Sequence, residues 1–277
     1  MEKNKQQTIC LFINKIFASI VDLFFPLKCL KCQKIILKTD QNNQADNNVS
    51  KDFSINLFGK YFCKDCILLK YEPFEPPFCE RCGKKFEHKF IKNHLCEDCL
   101  QSSHNVRKVR AGARYSGIVK ESIQFFKYQK KLALAEPLEK VIFSGFLKYF
   151  IPFENDVIMP VPLHISKLKQ RGFNQAFLVV KNFEKMLKKN NISLTLNIDL
   201  YSMKRIKKTN PQTNLSAQQR KENIKDAFKI VNIEKIKNKR ILLVDDVYTT
   251  GATSAEAALT LLDAGALTVD VLVIAMV

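Results

Sequence analysis

The chain has 277 residues, which is enough for one medium-sized domain and a smaller one. Hydrophobic residues make up 46% of it and aromatic residues 10%, while only eight glycines and nine prolines occur, which excludes collagen-like and low-complexity proteins. The formal net charge of +18 favours anionic partners such as phosphorylated small molecules, nucleic acid or a membrane surface.

Residues 1–27 predict an amphipathic helix that ends at Pro26. Most of this segment is rich in Ile, Leu and Phe and so imitates an export signal, but three polar residues interrupt it: Asn14, Lys15 and Asp22. We therefore expect a helix docked on the protein, with a peripheral membrane contact as the alternative and no transmembrane segment.

Eight of the nine cysteines form four Cys-x-x-Cys pairs, which are Cys29/Cys32, Cys63/Cys66, Cys79/Cys82 and Cys96/Cys99. This spacing lets two thiolates reach one tetrahedral ion, so the simplest assignment is two structural zinc sites filled in chain order. A crossed pairing remains open, as do a redox dithiol and unliganded thiols. Thiols kept for metal binding indicate a reducing compartment, the cytoplasm.

The cysteines define a predicted double zinc ribbon over residues 28–105, in which residues 39–51 form a polar insertion. Residues 106–277 instead alternate between strand-like and helix-like patterns. Short apolar runs at 157–160, 241–247 and 269–277 are typical of strands buried on both faces of a parallel sheet.

Two helices are predicted between these strands. Residues 174–189 place apolar side chains at steps of three and four, and residues 253–264 are followed by Gly265 as a C-terminal cap. The order of strand, helix and strand predicts an α/β domain with a parallel sheet flanked by helices.

The most informative segment runs from residue 241 to 253, where an apolar strand leads into the acidic pair Asp245 and Asp246 and then into a Thr-Thr-Gly-Ala-Thr turn. Ligands of such sheets bind at the carboxyl ends of the strands. The backbone amides of residues 249–253 would form a phosphate cradle at the start of a helix. The two carboxylates would accept hydrogen bonds from sugar hydroxyls or hold a hydrated divalent cation.

This segment resembles the phosphoribosyl pyrophosphate signature of the phosphoribosyltransferase superfamily. Further stretches are similar to the ComF family of competence-associated, phosphoribosyltransferase-like proteins, over nearly the whole chain. They are residues 24–32, Phe126-Lys127-Tyr128, residues 160–163, residues 171–176 and residues 209–228. The resemblance implies a type I phosphoribosyltransferase fold with a small N-terminal zinc ribbon.

The resemblance also implies roles for individual residues. Asp245 and Asp246 would hold the ribose hydroxyls of phosphoribosyl pyrophosphate. The residues implied to bind the 5-phosphate are Thr249, Thr250, Gly251, Ala252 and Thr253. The residues implied to form the pyrophosphate loop are Pro160, Val161, Pro162 and Leu163. Magnesium would bridge pyrophosphate and ribose oxygens. The candidate cations for the pyrophosphate are Lys127, Arg171, Arg205 and Arg220, with Arg171 the catalytic candidate among them. Asn174 and Gln175 are expected to be helix-cap and packing groups rather than catalysts.

Residues 204–240 contain 12 Lys and Arg against three Asp and Glu, so they supply half of the net charge. This stretch could close over an anionic substrate, contact DNA phosphates without reading sequence, or be a solvated surface. Together with these features, the resemblance to the ComF family implies two alternative functions. One is an enzyme that transfers phosphoribosyl to an unknown acceptor during DNA uptake in natural transformation. The other is a non-catalytic adaptor that keeps the pocket and binds single-stranded DNA or uptake proteins.

Overall fold

A computed structural model of the chain describes residues 26–36, 49–68, 71–87, 92–101, 105–209 and 216–277. The predicted helix over residues 1–27 therefore lies almost wholly outside the described residues. The chain divides into two compact units, Met1–Tyr71 and Glu72–Val277. The second pair of cysteine knuckles thus belongs to the same unit as the sheet, while the predicted boundaries after residues 27 and 105 stay predictions.

The first unit contains helices α1 (Val49–Phe58) and α2 (Lys64–Ile67). Phe58 and Phe62 are fully buried at its centre. Of the predicted polar insertion, only residues 49–51 are described, and they form the first turn of α1 rather than a loop.

The second unit is built on a parallel four-stranded sheet with the order β1-β6-β5-β2. Its strands are β1 (Val109–Arg114), β2 (Val157–Pro160), β5 (Arg240–Tyr248) and β6 (Thr268–Met276). The predicted α/β fold with a parallel sheet is confirmed, as are all three predicted strands. Strand β1 has no continuous apolar run, so its sequence alone does not mark it as buried.

Eight α-helices accompany this sheet in the described part of the second unit. In chain order they are α3 (Glu97–Gln101), α4 (Gly117–Tyr128), α5 (Ala135–Phe150), α6 (Ile165–Arg171), α7 (Gln175–Leu178), α8 (Phe183–Lys189), α9 (Ala217–Ile224) and α10 (Ala252–Asp263). Helix α10 packs buried Ala258 and Leu261 into the same hydrophobic core as Leu243 and Val271 of the sheet. Gly265 follows α10 with φ of 90°, as a C-terminal cap requires. No helix in these described ranges combines the length and apolar character needed to cross a bilayer.

The prediction of one continuous helix over residues 174–189 is wrong, because two short helices, α7 and α8, occupy this stretch. The chain breaks between them around Asn182, whose backbone and side-chain nitrogens both donate to the buried carboxylate of Glu139. The apolar pattern nevertheless predicted burial correctly for Val180, Phe183 and Leu187. A tertiary hydrogen bond replaced the helical backbone pairing that the pattern predicts.

The basic stretch of residues 204–240 contains more regular structure than a polar loop. Strands β3 (Met203–Arg205) and β4 (Phe228–Ile230) pair antiparallel, and α9 lies between them in the chain. Thr209 is buried and accepts a hydrogen bond from Arg205. Residues 210–215 lie outside the described part of the chain.

Candidate active site and metal centres

A cavity of about 550 Å³ opens at the carboxyl ends of β2 and β5. Ten of the sequence-predicted residues line it, which are Lys127, Val161, Leu163, Arg171, Arg205, Arg220, Asp245, Asp246, Thr249 and Thr253. Thr250, Gly251 and Ala252 line a second cavity behind the loop, whereas Pro160 and Pro162 line neither of these two cavities. The predicted constellation therefore meets at one place, even though its members come from six segments of the chain.

The acidic pair stands where β5 leaves the core. Residues 241–244 are fully buried, and Asp245 and Asp246 are the first residues after this run that are partly exposed. The backbone amide of Asp246 donates to the carboxylate of Asp245 at 2.8 Å, which fixes the orientation of that carboxylate. Beyond β2, the amide of Val161 donates to the carbonyl of Val244 at 2.8 Å, so the predicted pyrophosphate loop starts directly beside the acidic pair.

Lys127, near the end of α4, reaches the acidic pair from a distant segment of the chain. Its ammonium lies 2.7 Å from an oxygen of Asp246, and the two side chains are only 16% and 14% exposed. Burial lowers the pKa of Lys127, but the Asp246 carboxylate outweighs burial, so that this pKa is raised overall. Lys127 is therefore charged at neutral pH and neutralises half of the acidic pair.

Asp245 has the opposite electrostatic environment. Burial and the nearby charge of Asp246 raise its pKa to about 7, although Lys127 opposes the shift. Asp245 can thus carry a proton near neutral pH. The pair is suited to accept hydrogen bonds from vicinal hydroxyls and to change charge during a reaction.

Cations dominate the rest of the cavity wall. Six cationic side chains line it, namely Lys127, Lys130, Lys167, Arg171, Arg205 and Arg220, against the two carboxylates. Burial and the surrounding cations lower the pKa of Lys167 to about 8. Among the described residues, the buried Nε atoms of Arg205 and Arg220 have no hydrogen-bond acceptor. A wall with such an excess of positive charge matches a ligand rich in anionic oxygens.

The turn after β5 forms the predicted phosphate loop, residues 249–253. Gly251 takes φ of 74° and caps the N-terminus of α10, whose first amides have no partner within the helix. Arg220 donates to the Thr249 hydroxyl at 3.3 Å. The helix dipole, free amides and hydroxyls together can hold one phosphate group.

The sequence predicts that Gln175 is a packing residue, and it does not single out Lys167. Gln175 is 1% exposed, lines the cavity and accepts a hydrogen bond from Arg171 at 3.0 Å. Asn174 is confirmed as a helix cap, since its side chain accepts from the amides of residues 176 and 177. It also donates to the carbonyl of Val161, which ties α7 to the pyrophosphate loop. Neither Gln175 nor Lys167 carries a local sequence signal for these contacts.

The eight paired cysteines form two tetrads in chain order, Cys29/Cys32/Cys63/Cys66 and Cys79/Cys82/Cys96/Cys99. Within each tetrad all four Sγ atoms lie within 4.8 Å of one another. The Sγ atoms of Cys82 and Cys96 are 3.6 Å apart, close to the edge of about 3.8 Å expected for a zinc tetrahedron with 2.3 Å bonds. Both tetrads fit a four-thiolate zinc ion, and the structure has the sequential pairing rather than the crossed one.

Several curated proteins are similar to this chain. Competence protein F of Haemophilus influenzae is 30% identical over 187 residues, which cover 65% of this chain and 76% of that protein. DNA utilization protein YhgH of Escherichia coli strain K12 is 29% identical over 199 residues, covering 70% and 81% respectively. Competence protein ComFC of Bacillus subtilis is 28% identical over 193 residues, covering 68% and 72%. The chain belongs to the ComF family.

Membership of the ComF family confirms the resemblance that the motifs indicated. No family model matches the chain. Among solved structures, the glutamine phosphoribosylpyrophosphate amidotransferase of B. subtilis, complexed with ADP and GMP, is 16% identical with a TM-score of 0.35. The match covers 55% of this ComF-family chain and 30% of that one. An allosteric regulatory enzyme of purine biosynthesis is 19% identical with a TM-score of 0.30, covering 49% and 25%.

Proposed function

We propose that this ComF-family protein binds phosphoribosyl pyrophosphate with magnesium and transfers the phosphoribosyl group to an acceptor, in a pathway that handles incoming DNA. The DNA role rests on the competence and DNA-utilization names of its relatives. The observation that carries the ligand is the single cavity in which an acidic pair, a phosphate loop and six cations meet.

The parts of the cavity match the parts of this ligand. The phosphate loop at the start of α10 takes the 5-phosphate. Asp245 and Asp246 accept hydrogen bonds from the two ribose hydroxyls. Arg171 and Lys167, from helix α6 after β2, and the start of the loop at Val161 face the pyrophosphate. The guanidinium groups of Arg205 and Arg220, which also line the cavity, add further contacts to anionic oxygens.

Transfer breaks the bond between ribose C1 and the pyrophosphate oxygen, and the electron pair leaves with the pyrophosphate. In the acceptor molecule, the lone pair of a nitrogen that carries hydrogen forms the new bond to C1, and the proton of that nitrogen passes to a base or to water. Positive charge builds on the ribose while negative charge builds on the leaving group, so the cations stabilise the transition state. When bound, magnesium would supply further positive charge to the pyrophosphate oxygens.

Isothermal titration calorimetry with phosphoribosyl pyrophosphate and magnesium tests the binding step. We expect the wild-type protein to bind, and Asp245→Asn and Asp246→Asn each to bind at least about tenfold more weakly. Each substitution replaces a charged carboxylate that accepts a hydrogen bond from a ribose hydroxyl with a neutral amide. Asp263→Asn, on the exposed end of α10, is the matched control and should bind as the wild type does. No heat with the zinc-replete wild type contradicts the proposal.

One observation favours the adaptor function. The described residues that line the cavity include no histidine and no carboxylate beyond the acidic pair, so they lack the two kinds of side chain that most often take the proton of an acceptor. Release of pyrophosphate during incubation with candidate bases and amines supports the transferase. Binding that persists without release across such a panel supports an adaptor that keeps the pocket for an anion.

A further inference from the structure

We propose that Tyr248 is a positioning residue, through which the cysteine cluster of the second unit, Cys79/Cys82/Cys96/Cys99, holds the phosphate loop in its binding conformation. The proposal rests on the proposed function in so far as it assigns a ligand to residues 249–253. It concerns a residue outside the ligand cavity of about 550 Å³, since Tyr248 does not line that cavity.

The contact between Tyr248 and the loop is unusually close. A Cβ atom added to Gly251 would lie 2.2 Å from the Tyr248 hydroxyl oxygen and 2.6 Å from Cζ, so the phenol ring lies directly against the glycine. Gly251 is also the residue that takes φ of 74° and starts α10. The ring therefore packs on the one position of the loop where the backbone must turn, and it limits how far that backbone can move.

Tyr248 is itself held by the neighbouring strand. It pairs with Met276 in the register of β5 and β6, and the amide of Val277 donates to its carbonyl at 3.1 Å. The backbone of Tyr248 is therefore part of the sheet. Only its side chain projects towards the loop.

The cysteine cluster contacts the same end of β6. A Cβ atom added to Gly83, next to Cys82, would lie 2.9 Å from the Met276 Cε and 2.9 Å from the Val109 carbonyl oxygen. The knuckle thus packs against the side chain of Met276 and the backbone of β1. The knuckle and Tyr248 are therefore linked through Met276, whose side chain meets the knuckle and whose backbone pairs with Tyr248 in the register of β5 and β6.

A cavity of about 840 Å³ connects these groups. Cys82, Cys99, Tyr248, Gly251 and Met276 all line it, and Thr249 lines both this cavity and the ligand cavity. Because open space lies behind the loop, the ring of Tyr248 is a support that surrounding packing would not replace. A phosphate loop without that support would sample more conformations, and ligand binding would have to offset the cost of ordering it.

Two variants of Tyr248 test the contact, with zinc content confirmed in each. Tyr248→Ala should speed hydrogen exchange of the amides of residues 249–253 in the ligand-free protein by about tenfold and weaken phosphoribosyl pyrophosphate binding by about tenfold. Tyr248→Phe keeps the ring and should stay within about threefold of the wild type in both measurements. Tyr201→Ala, which removes a ring that is 77% exposed, is the control and should change neither.

A second pair of variants tests the role of the cysteine cluster. Met276→Ala removes the side chain between the knuckle and the strand, and should speed exchange at residues 249–253 by about threefold. Met203→Ala removes an equally buried methionine, 2% exposed, from the same core and should leave the loop unchanged. Equal effects of the two methionine variants on the loop overturn the role of the cluster.

The two proposals can fail separately. If the wild type gives no heat with phosphoribosyl pyrophosphate, the proposed function fails, while the exchange of the ligand-free loop still decides the role of Tyr248. If Tyr248→Ala leaves loop exchange and binding within twofold of the wild type, the positioning role is overturned. Should Tyr248→Ala fail to fold, Tyr248→Leu, which is shorter and lacks the ring, replaces it with the same expected direction.

Discussion

The ammonium of Lys127 and the carboxylate of Asp246 form a 2.7 Å ion pair at the carboxyl edge of the sheet, although 119 positions separate them in the chain. The pair places one fixed positive charge against the acidic motif of β5. Ligand hydroxyls therefore meet a pair of carboxylates that is already partly neutralised.

Replacing Lys127 with Met should destabilise the protein by about 3 kcal/mol, because it leaves the carboxylate of Asp246 buried without its partner. Urea denaturation measures the free energy of unfolding. Lys140→Met, which breaks an exposed pair with Glu136, should cost no more than about 0.5 kcal/mol. Equal losses of unfolding free energy for the two variants would show that the buried pair stabilises the protein no more than the exposed pair does.

Stability should depend on pH through Asp245. Its pKa is raised from 3.8 to about 7 in the folded protein, so its contribution to stability is complete below pH 3.8 and is lost as the pH rises through 7. Asp245→Asn removes this loss and should raise the melting temperature by several degrees at pH 8, with a smaller gain at pH 5. Asp263→Asn, the control, should not raise the melting temperature more at pH 8 than at pH 5. An equal gain for Asp245→Asn at both pH values would contradict the raised pKa of Asp245.

The purified protein should contain two zinc ions per chain, measured by inductively coupled plasma mass spectrometry. Cys66→Ser and Cys99→Ser should each lose one ion, because each removes a ligand from a different tetrad. Cys10→Ser, the cysteine outside the four pairs, should keep both. A single ion in the wild type contradicts the assignment of two sites.

Gln175→Ala should weaken phosphoribosyl pyrophosphate binding by about tenfold, because the Arg171 guanidinium loses the carbonyl that orients it. Gln175→Glu keeps an acceptor at that position and should restore most of the affinity. Calorimetry at one pH measures both. If the Glu variant binds as weakly as the Ala variant, Gln175 does not act through Arg171.

If the basic stretch binds DNA, changing both Lys207 and Lys208 to Gln should lower the slope of log affinity against log salt by about 1 to 2. The change should not depend on DNA sequence, because contacts to phosphates do not read bases. The exposed pair Lys188 and Lys189, at the end of α8, provides the matched control. An unchanged slope for the Lys207 and Lys208 variant counts against this stretch as the DNA contact.

The sequence alone predicted the features whose signal is local. These features are the four cysteine pairs, the strand at 241–247 and the threonine-rich turn after it. Their structures were predictable because metal knuckles, buried parallel strands and phosphate loops each require particular residue types at fixed short spacings. Asn174 could be assigned as a helix cap for the same reason, since a cap acts on amides only two or three residues away.

Only the tertiary structure decided how distant residues contact these features. The resemblance named Lys127, Arg205 and Arg220 as candidate cations, but the structure alone pairs Lys127 with Asp246 and Arg220 with Thr249. The break at Asn182 likewise depends on Glu139, a residue 43 positions away. The packing of the Cys82 and Gly83 knuckle on Met276 follows the same rule, because such contacts depend on how side chains fit in three dimensions and leave no periodic trace in the sequence.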